Sequence, residues 1–338
     1  MKVLLTGGLG YIGSHTAVEA LNAGYEVIIV DNLSNSKIEV IDKIKQITGK
    51  DFLFYKADVC NKEAMQQIFE ENSNIFAVIH FAGYKSVNES VYAPLKYYEN
   101  NLDSTFNILH MMQRFDCKNL IFSSSASVYS MDNEMPVDEN GKLDPISPYG
   151  RTKHINEIIL RDFQTANPDF DVTILRYFNP VGAHESGLIG EDPFGIPTNV
   201  MPCICRAAVG EVDLFQIFGN DYNTKDGTCV RDYIHVVDLA IGHIKALDRI
   251  CKNFGDGFKV YNLGTGIGYS VLEILNAFNR ANGDLVKYTF APRRKGDVEA
   301  NYASVEKAEK ELGFKATRTL EEMCRSSYLF KINNSNKN

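Results

Sequence analysis

The sequence of 338 residues has no Cys-x-x-Cys pair, no HExxH and no stretch approaching 18 consecutive apolar residues. Seven cysteines are present, an odd number, and only Cys203-x-Cys205 is closely spaced, with no second pair at zinc spacing. Reduced, buried thiols in a reducing compartment are therefore expected, and no metal site. Basic residues are outnumbered, 35 Lys+Arg against 43 Asp+Glu for a net charge of −8, and no basic run exceeds Arg293-Arg294-Lys295. That balance argues against a nucleic-acid partner, which usually meets a net basic face. The lack of a long apolar run argues against a membrane partner. Residues 1–6 carry only a short apolar run before glycines, too short for a signal peptide. A cytoplasmic location is expected, where the sequons at Asn32, Asn88 and Asn333 would stay unmodified. No internal repeat is visible.

What is present is an ordinary globular composition, 44% apolar and 23% charged. Such a length buries a core without disulfides or metals. Short apolar, β-branched runs at 3–6, 26–31, 52–58, 75–81, 119–125 and 172–178 read as strands, with helix-like periodicity between them, as at 11–23 and 97–115. Continuous apolar strands suit a sheet covered on both faces. The alternation predicts an α/β fold with a doubly wound, Rossmann-like parallel sheet. After residue 179 the texture changes. Residues 182–198 are rich in Gly, Pro and acids and read as an extended loop, followed by mixed short elements. We expect a first domain over 1–179, to which later segments can return, a smaller mixed α/β lobe over 180–330, and a disordered polar tail over 331–338.

The first strand runs into Gly7-Gly8-Leu9-Gly10-Tyr11-Ile12-Gly13, which opens the first helix. Glycines let the backbone turn tightly and approach a pyrophosphate, and the helix N-terminus offers N–H groups and a positive dipole end. A glycine match alone is weak, but here a strand precedes it, a helix follows, and an acid, Asp31, ends the second strand 18 residues past Gly13. A carboxylate there can accept from ribose hydroxyls and repels a 2′-phosphate, so the expected cofactor is NAD rather than NADP. Asp58-Val59, ending the third strand, is placed to meet the adenine, and Phe81-Ala82-Gly83, ending the fourth, lets the chain pass close to a ligand.

Tyr-x-x-x-Lys occurs twice, at Tyr92/Lys96 and Tyr149/Lys153. The first pair has Pro94 between its members and reads as surface. The second follows Ser147-Pro148 and opens a helical segment, so that one turn puts Tyr149 and Lys153 on the same face. The strand before it ends in Ser123-Ser124-Ser125. A phenol titrates near 10, and serving as a base near neutrality requires about 4 kcal/mol of differential stabilisation. The Lys153 ammonium and a positive nicotinamide can supply it together, while Ser125 orients the reacting hydroxyl.

These residues resemble those of the extended short-chain dehydrogenase/reductase family, and within it the UDP-glucose 4-epimerases. The motifs lie at 6–13 (TGGLGYIG), 79–85 (IHFAGYK), 97–101 (YYENN), 122–129 (FSSSASVY), 147–153 (SPYGRTK), 175–184 (LRYFNPVGAH), 218–222 (FGNDY), 226–235 (DGTCVRDYIH) and 291–297 (APRRKGD). The resemblance implies tightly held NAD and a UDP-hexose substrate, oxidised at sugar C4 with Tyr149 as base and reduced again on its other face. It adds Asn32, Ser36, Lys85, Asn100 and Phe178 to the cofactor side. It assigns Asn179, Asn199, Gln216, Phe218, Arg231, Arg294 and Asp297 to the UDP-sugar, arginine forks suiting a diphosphate. It also implies a homodimer through the helices near 97–115 and 150–163.

The sequence departs from the family pattern at three positions. Ser130 stands where Gly usually follows Val-Tyr, Tyr84 takes the variable place in FAGxK, and Asn301 takes the place of a bulky Tyr that restricts the sugar pocket. A smaller Asn301 is expected to admit N-acetylated sugars. A nucleotide-sugar 4,6-dehydratase would need an acid/base pair where Ala126 and Ser127 stand. Epimerases of uronic acids or pentoses remain alternatives, as does an NAD-binding protein without catalysis, which would have no need of Ser125, Tyr149 and Lys153 together.

Overall fold

The structure is a computed structural model that describes residues 1–252, 255–294 and 297–335. Its main sheet is built from β1 (Lys2–Thr6), β2 (Glu26–Asp31), β3 (Leu53–Lys56), β4 (Ile75–His80), β5 (Asn119–Ser125) and β6 (Asp171–Tyr177). Around them run α1 (Tyr11–Asn22), α2 (Val40–Thr48), α3 (Lys62–Glu71), α4 (Val87–Tyr92), α5 (Pro94–Arg114) and α6 (Pro148–Ala166). There follow β7 (Asn179–Val181), α7 (Val200–Ala208), β8 (Phe215–Phe218), β9 (Val230–His235), α8 (Val236–Lys252), β10 (Phe258–Leu263), β11 (Gly268–Ser270), α9 (Val271–Asn282), β12 (Tyr288–Ala291), β13 (Ala300–Asn301), α10 (Glu306–Leu312) and α11 (Leu320–Ser335).

The sheet order is β10-β6-β5-β4-β1-β2-β3, all parallel. Side chains alternate between its two faces, as a strand's period of two demands. Val3, Leu5, Val27, Ile29, Ala77 and Ile79 join the α1 side chains Ala17, Val18 and Leu21 in one core. Leu4, Ile28, Val30 and Val78 point the other way, into a core with Met65, Phe69, Ile108 and Met112. Both faces are covered, so these strands are apolar at nearly every position. A third core, including Ile204, Ile217, Tyr233, Phe278 and Met323, holds the smaller lobe, whose strands form β11-β9-β13, with β7 beside β9, and the pair β12-β8.

Later chain does return to the first domain: β10 adds a strand beside β6, in unbroken register from Phe258↔Val172 to Leu263↔Tyr177. The expected disordered tail is a correction. Residues 331–335 form the last turn of α11, and only 336–338 lie outside the described residues. The helix holds because Phe330 is buried and Asn333 Nδ2 donates to Gly187 O at 3.4 Å. Among the described residues no helix is long and apolar enough to cross a membrane.

Candidate active site

In this order the carboxyl ends of β4, β1 and β2 lie side by side, and the strand order reverses between β4 and β1, where ligands collect in such sheets. The glycine loop sits there. Gly7 has φ +66°, and a Cβ on it would lie 2.9 Å from the Ala82 amide nitrogen. A Cβ on Gly13 would lie 2.4 Å from Gly7 O. A side chain at Gly7 would push the loop off the end of β4, and one at Gly13 would push the helix away from the loop. The N-terminus of α1 has Gly10 as its cap with no side-chain cap and no acid in its first turn. Its N–H groups and positive dipole end are thus left for an anion, and the cradle fits a dinucleotide pyrophosphate.

Asp31 is buried and ties the neighbouring loops together. Its Oδ2 accepts from Leu9 N at 3.0 Å, and its Oδ1 accepts from Leu33 N at 2.9 Å and Ser36 Oγ at 2.7 Å. Asn32 Nδ2 donates to Asp58 Oδ2 at 3.0 Å, joining the ends of β2 and β3, and Val59 is buried beside them. At the end of β4 a second network forms. Thr6 Oγ1 meets His80 Nδ1 at 2.7 Å, and burial lowers the His80 imidazole from 6.5 to about 3, so the ring is neutral. Gly83 is held against Asn101, whose Oδ1 accepts from Tyr84 N at 2.8 Å and whose Nδ2 donates to Tyr84 O at 3.0 Å. Asn100, expected on the cofactor side, joins this network, its Nδ2 donating to Asn101 Oδ1 at 3.0 Å, and its carbonyl accepts from Cys60 Sγ at 3.5 Å. Asn101, its neighbour in the YYENN motif, was not singled out from sequence.

The catalytic candidates come from β5 and α6. Ser147 caps α6, accepting from Gly150 N at 3.1 Å, and Pro148 occupies its first turn. This fixes where Tyr149 and Lys153 emerge, both on the buried face. Lys153 Nζ donates to Ser123 O at 2.6 Å and stands 6.0 Å from the Tyr149 ring centroid. Burial lowers its ammonium from 10.5 to about 8, while the Glu157 carboxylate one turn on pulls it back up. Burial raises the Tyr149 phenol, and its hydrogen bond with Ser125 lowers it. Ser125 Oγ also caps the short turn over Ala126–Val128, accepting from Ser127 N at 3.1 Å. Glu157 is itself bound by Arg176, Nη2 to Oε2 at 2.7 Å, in a buried pair. Phe178 is buried at the end of β6, its amide donating to Leu263 O at 3.2 Å. Tyr177, which sequence reasoning passed over, has its hydroxyl against His243 Nε2. By contrast Tyr92 is 89% exposed and Lys96 pairs with Glu89, as expected of the surface pair.

The substrate candidates sit in the smaller lobe. Arg231 on β9 is paired in register with Asn301 on β13, and its Nη2 lies 3.9 Å from Asp297 Oδ1. The Asn301 Oδ1 is buried without a hydrogen-bond partner. Tyr302, the next residue, packs its ring against Gly268, where a Cβ would lie 3.0 Å away. Arg294 stacks on Phe218, 3.9 Å from guanidinium carbon to ring centroid, and its Nη1 donates to Thr198 O at 3.4 Å. Gln216 precedes Phe218 on β8 with its side chain exposed, and Asn179 opens β7 opposite Tyr233. Asn199 and Lys85, expected on opposite ligands, both bind Glu191 Oε1, at 2.7 and 3.2 Å. Glu191 was not singled out from sequence, though it lies in the acidic stretch 182–198.

Comparison with known proteins shows which family this arrangement belongs to. A UDP-glucose 4-epimerase of Bacillus subtilis (strain 168) is 54% identical over 336 residues, covering 99% of this chain and 98% of that protein. The chain belongs to the UDP-glucose 4-epimerase family. Its fold is that of the epimerase of Bifidobacterium longum solved with NAD+ and UDP, with a TM-score of 0.94, 50% identity and 99% of each chain covered. The epimerase of Stenotrophomonas maltophila, solved with NAD and formylated UDP-arabinopyranose, matches with a TM-score of 0.97 at 43% identity, over 100% of each chain. A family model described as GDP-mannose 4,6 dehydratase also matches residues 4–327. That match is to the wider extended short-chain dehydrogenase/reductase family. In this chain Ala126 and Ser127 follow β5 and carry no carboxyl group for dehydration.

Proposed function

We propose that this chain interconverts UDP-glucose and UDP-galactose by inverting C4 of the hexose. The cleft at the ends of β4, β1 and β2, with Gly7, Gly10, Gly13 and Asp31, would hold NAD, which when bound would supply hydride exchange with C4. Tyr149 takes the proton from the 4-hydroxyl and returns it after the sugar has turned over. Lys153 lends positive charge to the phenolate, and a positive nicotinamide adds to it. Ser125 hydrogen-bonds the reacting oxygen and orients it. The carrying observation is the meeting of Ser125, Tyr149 and Lys153 at the carboxyl end of β5, Lys153 bonded to Ser123 O and Tyr149 to Ser125, two strands from the uncapped N-terminus of α1.

In the smaller lobe, Arg231, Arg294 and Asn199 are assigned to the diphosphate, with Gln216 and Phe218 beside the uracil and Asn179 and Asp297 flanking them. Holding the nucleotide while leaving the sugar loosely bound lets the 4-keto hexose present either face. Asn301, small and with a buried acceptor lacking a partner, supports acceptance of N-acetylhexosamine nucleotides, whose amide N–H can donate to it. The chain is assigned to a homodimer through α5 and α6, which leave Leu95, Phe106 and Ile158 exposed. A cytoplasmic location suits its seven free thiols.

The deciding experiment mixes the purified protein, with no NAD added, with UDP-galactose and follows UDP-glucose by chromatography. Turnover is expected, and UDP-GlcNAc offered to the same sample is expected to yield UDP-GalNAc. Failure on UDP-galactose even with NAD supplied would overturn the substrate reading. Failure on UDP-GlcNAc alone would overturn the role given to Asn301.

A further inference from the structure

The acidic stretch after β7 makes contacts beyond the ends of two strands of the main sheet. Lys85 follows β4, whereas Asn35 and Lys37 follow β2, and β1 with its glycine loop lies between them. Glu191 Oε1 binds Lys85 Nζ at 3.2 Å on the β4 side. On the β2 side Asp192 Oδ2 binds Lys37 Nζ at 2.5 Å, and Phe194 N donates to Asn35 Oδ1 at 3.3 Å. Consecutive residues thus tie the segment after β4 to the segment after β2, on opposite sides of the strand that carries the glycine loop. The upstream end is anchored too. Tyr11 OH donates to Gly182 O at 2.6 Å, and Gly190 packs so closely on the Phe330 ring of α11 that a Cβ would lie 2.5 Å from it.

We propose that residues 187–194 form a strap over the dinucleotide, latched by Glu191–Lys85 and Asp192–Lys37, which slows NAD release between turnovers, and that Glu191 couples this latch to the UDP-sugar side by sharing its Oε1 between Lys85 and Asn199. The proposal rests on the NAD-dependent reading above. Its chemistry distinguishes it from simple burial of the cofactor. Lys37 and Asp192 are each nearly half exposed, so their attraction is screened by salt, whereas packing against glycines is not. A latch of this kind loosens with ionic strength. Glu191 is far less exposed, at 9% of its side chain, and it holds Asn199 as well as Lys85. Its loss therefore acts on both ligands, whereas loss of Asp192 acts on the cofactor alone.

The test measures NAD release from the holoenzyme, with free NAD trapped by an excess of a second NAD-binding dehydrogenase. Asp192→Asn and Lys37→Glu are each expected to speed release about three- to five-fold, the scale of an exposed ion pair. Asp192→Lys combined with Lys37→Glu is expected to restore slow release, which a merely structural role for either side chain would not predict. Raising the salt from about 0.05 to 0.5 M should speed release from the wild type and leave an Asp192→Asn/Glu191→Gln double variant unmoved. Glu191→Gln alone should also raise KM for UDP-galactose, and Asp192→Asn should not. Release from the double variant as slow as from the wild type would overturn the strap. A wild type that carries no NAD and takes up none would overturn the nicotinamide reading itself, and the strap with it.

Discussion

Tyr149 is placed against its own chemistry. Burial favours the neutral phenol, and the ammonium that should help ionise it is itself pushed down to about 8 by burial. Burial works against the charged form of both groups, and a base that works here must draw on charge brought in by the ligands together with Lys153 and the Ser125 hydrogen bond. Such an arrangement separates binding from chemistry. Tyr149→Phe removes one oxygen from a side chain already packed by its ring, so fold and cofactor retention should persist. Turnover of UDP-galactose should fall by about two to four orders of magnitude, the range for loss of a positioned general base. NAD content of the purified variant, read from the supernatant after denaturation, should match that of the wild type. A variant that loses NAD along with activity would show instead that the hydroxyl is a binding group.

At the scale of elements, the same logic makes the first turn of α1 intolerant of substitution. Gly13→Ala would place a methyl 2.4 Å from Gly7 O and 2.8 Å from Gly8 Cα, and both neighbours are backbone. The helix must then shift off the loop, and the anion site formed by the two is lost. We expect this variant to be purified without NAD and to remain nearly inactive when NAD is added at millimolar concentration. Normal NAD content would show that the loop bends without consequence. This element was legible because its signal is local: a strand, a glycine turn and a helix in succession. Strands 26–31 and 119–125 were equally legible, since burial on both faces leaves them apolar throughout. The third strand was read as 52–58 but only Leu53–Lys56 pairs with β2, because the chain then leaves the sheet toward Asp58. The C-terminal helix was misread because its last turn is polar and Asn-rich. What folds it is contact with Gly187 and Gly190, more than a hundred residues earlier, which no local pattern carries. Glu191 was invisible for the same reason. Its importance lies in which two side chains the fold brings to it.

Across the whole molecule, four histidines are buried, each on a different element. Burial lowers His15 on α1, His80 on β4 and His235 on β9 from 6.5 to about 3, and His243 on α8 to about 4. Each is wired neutral. His15 Nδ1 meets Tyr11 O at 2.7 Å, and His235 Nε2 meets Ser326 Oγ of α11 at 3.1 Å. The sign of the consequence follows from proton counting. Between 6.5 and the folded values, the unfolded chain binds more protons than the folded one, so stability falls as pH falls through that window and is fully present above it. Each histidine contributes up to about 1.4 kcal/mol per pH unit, so the four together approach about 5 kcal/mol between pH 6 and 5. A typical domain has only about 5–15 kcal/mol in all. The cofactor-free protein should therefore unfold in mild acid, before its carboxylates titrate. Urea unfolding at pH 7, 6 and 5 measures this directly, and the slope of stability against pH should correspond to several protons. A stability that stays flat from pH 6.5 to 5 would mean that these rings take up protons without unfolding, and that the protein opens to water around them.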